Sequence, residues 1–143
     1  LGIPVKTDPL VADGKPELVM AFRDATAAFD SSGLCIFTTF AWGLPELSPQ
    51  MQAACGEQYT VEELAKIGER IWNMEREFNN RAGFTRADDS LPERLTSAEG
   101  ACKTGPAKGK FNELATMLPL YYAARGWDSE GRPTAETKAR LGL

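Results

Sequence analysis

Tyr59-Thr60-Val61-Glu62-Glu63-Leu64-Ala65-Lys66-Ile67-Gly68-Glu69-Arg70-Ile71-Trp72 opens the most regular element of the chain. Thr60 is an N-cap residue, and Glu63 three positions on completes a capping box. Tyr59 and Leu64 flank the cap as a hydrophobic staple. Leu64, Ile67, Gly68, Ile71, Trp72, Glu75 and Phe78 follow at helical spacing and trace one face. Glu75 breaks its apolar character, and pairing with Arg76 or Arg81 is the plainer alternative to a catalytic role. Glu62/Lys66 and Glu77/Arg81 sit at i,i+4 in the favourable order. Gly83 supplies the C′ glycine. A helix of this length with one apolar face is the central helix of a bundle, and its neighbours are read as helices too.

Upstream, Pro16 suits a first helical position, and Leu18, Val19, Phe22, Ala25, Thr26 and Phe29 recur at helical spacing up to Asp30. Residues 1–14 hold Pro4, Pro9 and Gly14 and form an irregular lead-in. Leu34 to Trp42 is almost wholly apolar and leans toward β propensity, but no other stretch offers a sheet partner, so it is assigned as a buried helix. Gly43 and Pro45 stop it, and a short helix follows from about Pro49 to Cys55.

Downstream, residues 84–109 form a long connection with one helical turn near Pro92 to Leu95. Thr104 to Lys110 is a basic glycine loop without P-loop spacing, since Phe111 follows Lys110 where a Ser or Thr is needed. Phe111, Leu114, Met117 and Leu118 begin a helical face that Pro119 is expected to kink or restart before Gly126. Thr134 caps a last helix that closes at Gly142. The sum is an all-α, irregular bundle of about five to six helices without significant sheet, read as one domain over 1–143.

The chain has 143 residues, 43% of them hydrophobic and 25% charged, an ordinary globular balance. A net charge of -4 offers no nucleic-acid surface and no polybasic membrane patch. No apolar run reaches the roughly 18–20 residues of a membrane span, and the first residues lack a signal-peptide core. The first residue is Leu1 rather than methionine, which suggests a piece of a longer polypeptide. Cys35, Cys55 and Cys102 are odd in number and far apart, which points to a reducing, cytoplasmic setting. With no histidine, Ser-His-Asp triads, Cys-His nucleophiles and nearly all zinc sites are excluded for this stretch.

One turn carries local chemistry: Asp30-Ser31-Ser32-Gly33-Leu34-Cys35. Asp30 ends a helix where the dipole disfavours a carboxylate; it is a solvated turn residue or has another task. Gly33 permits positive φ or close approach of another group. Cys35, just inside the next helix, is either a buried small hydrophobe or one ligand of a cluster whose other ligands lie elsewhere.

Taken in order, several stretches resemble the C-terminal helical region of the tungsten-containing aldehyde:ferredoxin oxidoreductase family. They are Asp30 to Cys35, matching the family's D-x-x-G-L-C; Ile67 to Arg76 with Phe78-Asn79; Asp88 to Leu95; Tyr121-Tyr122 with Arg125-Gly126-Trp127-Asp128; Gly131-Arg132-Pro133-Thr134; and Leu141-Gly142-Leu143. The resemblance, from about Gly14 to the end, implies a domain closing over a bis-pyranopterin tungsten (or molybdenum) cofactor. It assigns Asp30, Gly33 and Leu34 to the pterin and Cys35 to a [4Fe-4S] cluster as its last ligand. The remaining ligands and the pterin-binding sheet domain lie upstream in the family, as do its histidine and glutamate near tungsten. The implied reaction oxidises a small aldehyde to a carboxylic acid and passes electrons to ferredoxin or another carrier subunit. Relatives also reduce acids or aromatic thioesters. Phe37, Phe40 and Trp42 line a substrate passage or pack in the core. The fragment alone is expected to be inactive, with the upstream domains as its main partner. The other reading is a stand-alone helical interaction module without cofactor.

Overall fold

The computed structural model describes residues 7–143; the first six residues of the expected lead-in lie outside them. Six α-helices follow in order: α1 Lys15–Ser31, α2 Leu44–Cys55, α3 Val61–Arg81, α4 Glu93–Thr96, α5 Leu114–Arg125 and α6 Ala135–Leu141. Two short 3-10 turns, Ile36–Phe40 and Arg86–Asp88, join them. No strand forms among the described residues; Trp127 and Pro133 make one isolated antiparallel bridge.

Local signals explain the helix ends. The Glu63 amide donates to Thr60 Oγ1 at 3.2 Å, and Thr137 donates to Thr134 Oγ1 at 3.2 Å. Each cap satisfies an N–H that the helix itself cannot pair. Pro45 does not stop an element but starts α2, lying in its first turn, where the missing N–H costs nothing. Helix α5 runs through Pro119 as one element instead of restarting.

Helix α3 is the spine, with α1, α2 and α6 packed on it and α5 laid against α1. Gly68 sets the closest approach. A Cβ there would stand 2.6 Å from the Asp24 carbonyl carbon, so only glycine lets the α1 and α3 backbones cross at this distance. Phe29 packs near Leu64 while Arg23 meets Trp72, so α1 and α3 run antiparallel.

The interior has two unlike halves. At the C-terminal end of α1, an apolar cluster joins Ala25, Ala28, Phe29, Leu44, Leu47 and Leu64, with Leu34, Trp42 and Tyr59 against it. Tyr59 and Leu64 thus share the apolar cluster, as a staple requires. Away from that cluster, buried polar side chains lie among Tyr121, Tyr122 and Leu141. Arg125 and Asn73 are fully buried and Arg76 nearly so. The face expected on α3 therefore turns: Leu64 and Gly68 are buried, but Asn73 and Arg76 replace Phe78, which is 71% exposed, and Glu75 is exposed as well.

Leu34 to Trp42 is not a buried helix. It is a short 3-10 turn with Phe37 71% and Phe40 86% exposed. The two rings stack on each other, with centroids 5.9 Å apart. Apolar composition marked the segment as buried, but only Leu34 and Trp42, at its ends, reach the core.

Candidate cofactor site

The Asp30–Cys35 turn is built by the end of α1. Helix α1 has no basic residue in its last turn, so Asp30 faces the negative helix end without a compensating cation. The Ser32 amide donates to Ala28 and Phe29 carbonyls at 3.1 and 3.0 Å, and Ser32 Oγ donates to Phe29 O at 2.6 Å. Gly33 then takes φ 78°, and its amide donates to Asp30 O at 3.3 Å. This left-handed step ends the helix and favours glycine. The Leu34 amide donates to Ser32 Oγ at 3.3 Å, and its side chain reaches the apolar cluster. Cys35 is extended, and its carbonyl accepts from Thr38 at 2.9 Å.

Asp30, Gly33 and Cys35 are exposed along this turn, while Leu34 anchors it. An ideal Cβ on Gly33 would meet no atom within 4 Å, so the space above the turn is open to another group. Cys35 is therefore not a buried hydrophobe. All three cysteines are free and exposed. Cys35 also caps a five-residue 3-10 turn rather than sitting inside a helix, so it receives little helix field. Among the described residues no three His, Cys, Asp or Glu side chains stand together as a metal site. The donor set fits one corner of a cluster and one edge of a hydrogen-bonding ring: a single accessible thiol, a single accessible carboxylate and a backbone that other groups can approach.

The opposite end of α1 holds a constellation that the sequence did not show. Arg76 donates to both oxygens of Asp89 at 2.8 and 2.6 Å and to Gly131 O at 2.6 Å. Tyr122 donates a very short hydrogen bond to the same carboxylate. Burial pushes the Asp89 carboxyl up, but its bonds from Arg76 and Tyr122 outweigh this and hold it below the usual range. Burial and the Asp89 contact push the Tyr122 phenol up to about 12. Arg125, with no exposed side-chain surface, pairs with Asp24 at 2.5 Å and donates to Tyr121 Oη at 2.9 Å. Burial raises the Asp24 carboxyl, and Arg125 offsets that only in part. Trp127 Nε1 donates to Asn73 Oδ1 at 2.8 Å, and Trp72 Nε1 to Arg23 O at 2.7 Å.

These are the stretches that carried the sequence resemblance: Ile67 to Arg76, Asp88-Asp89, Tyr121-Tyr122, Arg125-Gly126-Trp127 and Gly131. Their structural role is one interlocked polar layer that ties α1, α3, α5 and the loops together. The only signal for it in the sequence was an excess of arginine and aromatic residues on nominally apolar helices.

The fold is thus an all-α layer that presents one open, chemically equipped turn, and its relatives define the class as an oxidoreductase domain. Residues 2–143 match the family model described as aldehyde ferredoxin oxidoreductase, domains 2 & 3. The chain belongs to the aldehyde ferredoxin oxidoreductase family. It is 46% identical over 145 aligned positions to the tungsten-containing aldehyde ferredoxin oxidoreductase of Pyrococcus furiosus, 45% to that of Pyrococcus abyssi and 43% to that of Thermococcus kodakarensis. Each match covers 100% of this chain and 24% of the relative, so the chain spans about a quarter of their length and corresponds to their C-terminal part. No helix among the described residues is long and apolar enough to cross a membrane.

Proposed function

We propose that these 143 residues act as one helical unit covering one side of a tungsten bis-pyranopterin site in a larger cytoplasmic enzyme. The observation that carries this reading is the open turn itself. Asp30, Gly33 and Cys35 are all accessible on it, in the order that the family motif requires. The Asp30 carboxylate accepts hydrogen bonds from the amino and ring N–H groups of a pterin. Gly33 and Leu34 bring the backbone against the same ring, and Leu34 fixes the turn to the apolar cluster. The Cys35 thiolate ligates one iron of a [4Fe-4S] cluster, whose other ligands belong to upstream sequence.

The tungsten group, when bound, supplies the two-electron chemistry that no side chain here can perform. In the reaction the enzyme would catalyse, an aldehyde and water become a carboxylic acid with release of two electrons and two protons. The electrons leave to ferredoxin or a similar carrier. The protein's own part in this region is to hold the pterin edge and the cluster in fixed relation. The chain alone is inactive on this reading.

The test uses the full-length parent enzyme with Cys35→Ser. The expected result is loss of cluster iron and of the reduced-cluster electron paramagnetic resonance signal, or a shifted signal from serine ligation. Unchanged iron content together with an unchanged signal would falsify the ligand assignment. Asp30→Asn in the same enzyme is expected to lower pterin occupancy while leaving cluster iron in place.

A further inference from the structure

Between α1, α3 and α5 lies a cleft of about 380 Å³, within the size range of small-molecule sites. It is distinct from the motif turn. Arg23 stands seven residues before Asp30 on α1, about 10 Å along the axis, and Val19 is about 16 Å away. Its wall is apolar, formed by Val19, Leu114, Met117 and Leu118. Arg23 lines it with its guanidinium carbon over the Trp72 ring, 3.6 Å from the centroid.

The charges in this cleft do not balance. Arg76 and Asp89 also line it, but they neutralise each other as a bidentate pair. Lys15 and Arg23 remain against Glu75. Arg23 donates to the neutral Tyr121 hydroxyl at 3.0 Å, and among the described residues no carboxylate forms an ion pair with it. Arg76 and Arg125 each have an acid partner, whereas Arg23, like the half-buried Arg70, forms no ion pair among the described residues and feels the Asp24 carboxylate only through its field. A planar fork with free N–H groups beside an apolar wall is the arrangement that recognises a carboxylate.

The geometry points to a second binding site, for a small carboxylate with an apolar or aromatic body. Its carboxylate pairs with Arg23, and its body lies against Val19, Met117 and Leu118. This site is independent of the tungsten reading, because it needs no cofactor.

The test is a titration of the ¹⁵N-labelled chain with phenylacetate. Trp72 and Trp127 line the cleft, whereas Trp42 packs in the apolar cluster at the other end and serves as an internal control. The expected result is a saturable shift of the Trp72 and Trp127 indole N–H signals with Trp42 unmoved. The neutral analogue 2-phenylethanol is expected to bind roughly tenfold more weakly, since it cannot take the charge-assisted bonds. Arg23→Gln is expected to abolish that preference. Val19→Trp leaves Arg23 intact and fills the cleft, so it is expected to abolish binding even if Arg23→Gln fails to fold. Equal affinity for phenylacetate and 2-phenylethanol would overturn the proposal, as would no saturable shift. Inorganic phosphate binding as tightly as phenylacetate would also overturn it, because the site would then read charge alone.

Discussion

Replacing Gly68 with alanine isolates the contact on which the α1–α3 pair depends. The added methyl would lie 2.6 Å from the Asp24 carbonyl carbon and 2.8 Å from its Cα, and closer still to the carbonyl oxygen. Carbon atoms in ordinary contact sit about 3.5–4.0 Å apart, so α1 must retreat by roughly 1 Å. Two effects oppose each other. Alanine is better than glycine inside a helix by about 1 kcal/mol. Overpacking against backbone costs about 1–3 kcal/mol, occasionally more. The retreat also strains the Trp72–Arg23 hydrogen bond and the buried Arg125–Asp24 pair, which span the same crossing. The net expectation is a loss of about 2–3 kcal/mol, read as a lower urea midpoint at unchanged slope. Gly68→Ala as stable as the parent chain, or more stable, would show that the helices do not cross at this residue.

Asp89→Asn leaves the Arg76 guanidinium, 10% exposed, without its counter-charge and is expected to cost about 2–3 kcal/mol in a thermal melt. Tyr122→Phe removes one bond to the same carboxylate and is expected to cost about 1 kcal/mol. On acidification, the depressed Asp89 and Glu69 contribute stability that is present above their unfolded values near pH 4 and is lost as pH falls through their folded values. Removing the depressed Asp89 removes its share of that loss, so denaturation midpoints measured from pH 5 to 2 should fall less steeply in Asp89→Asn than in the parent chain; Asp24, raised by burial, contributes with the opposite sign in both. Phe40→Ser is expected to change stability by less than about 0.5 kcal/mol, because the ring is 86% exposed, and to reduce light scattering from self-association.

What the sequence revealed and what it hid follow from the range of the interactions. The caps at Thr60 and Thr134 and the left-handed glycines at 83, 126 and 142 act within a few residues of themselves, and all were legible. The buried arginines were not, because their partners are remote: Arg125 pairs with Asp24 across 101 positions and Arg76 bonds Gly131 across 55. Periodicity alone assigns such arginines to solvent. The apolar run from Leu34 to Trp42 failed for the opposite reason. Hydrophobicity reports a need for burial without saying whether this chain supplies the cover. For Asp30 and Cys35 the local chemistry left two readings open; their exposure removes the buried-thiol reading for Cys35, and only the ordered family motif gives the pair a common purpose.

The two halves of the interior suggest how that turn is held. On the function proposed above, the turn must meet a cofactor edge, and placement within about half an ångström comes from packing of the supporting shell rather than from the contacting residues. Asp30 has no cation beside it in the last turn of α1, and Cys35 lies on a five-residue turn with two exposed phenylalanines, so neither is fixed by its own neighbourhood. The positioning comes from α1. Its middle is clamped by the Gly68 crossing and the Arg125–Asp24 pair, and its C-terminal end is seated by Phe29 in the apolar cluster. Leu34, just past the glycine, is seated in the same cluster, so the turn is pinned on both sides of its exposed residues. The polar layer thus acts on the motif at a distance through a rigid helix. Loosening it should degrade placement of Asp30 before it unfolds the chain. In the parent enzyme, Arg125→Met, which removes the buried charge while keeping an apolar stem, should therefore lower pterin retention, and the accompanying loss of melting temperature should be rescued in Asp24→Asn/Arg125→Met. Full pterin retention in the single variant would show that the turn is placed by the upstream domains alone.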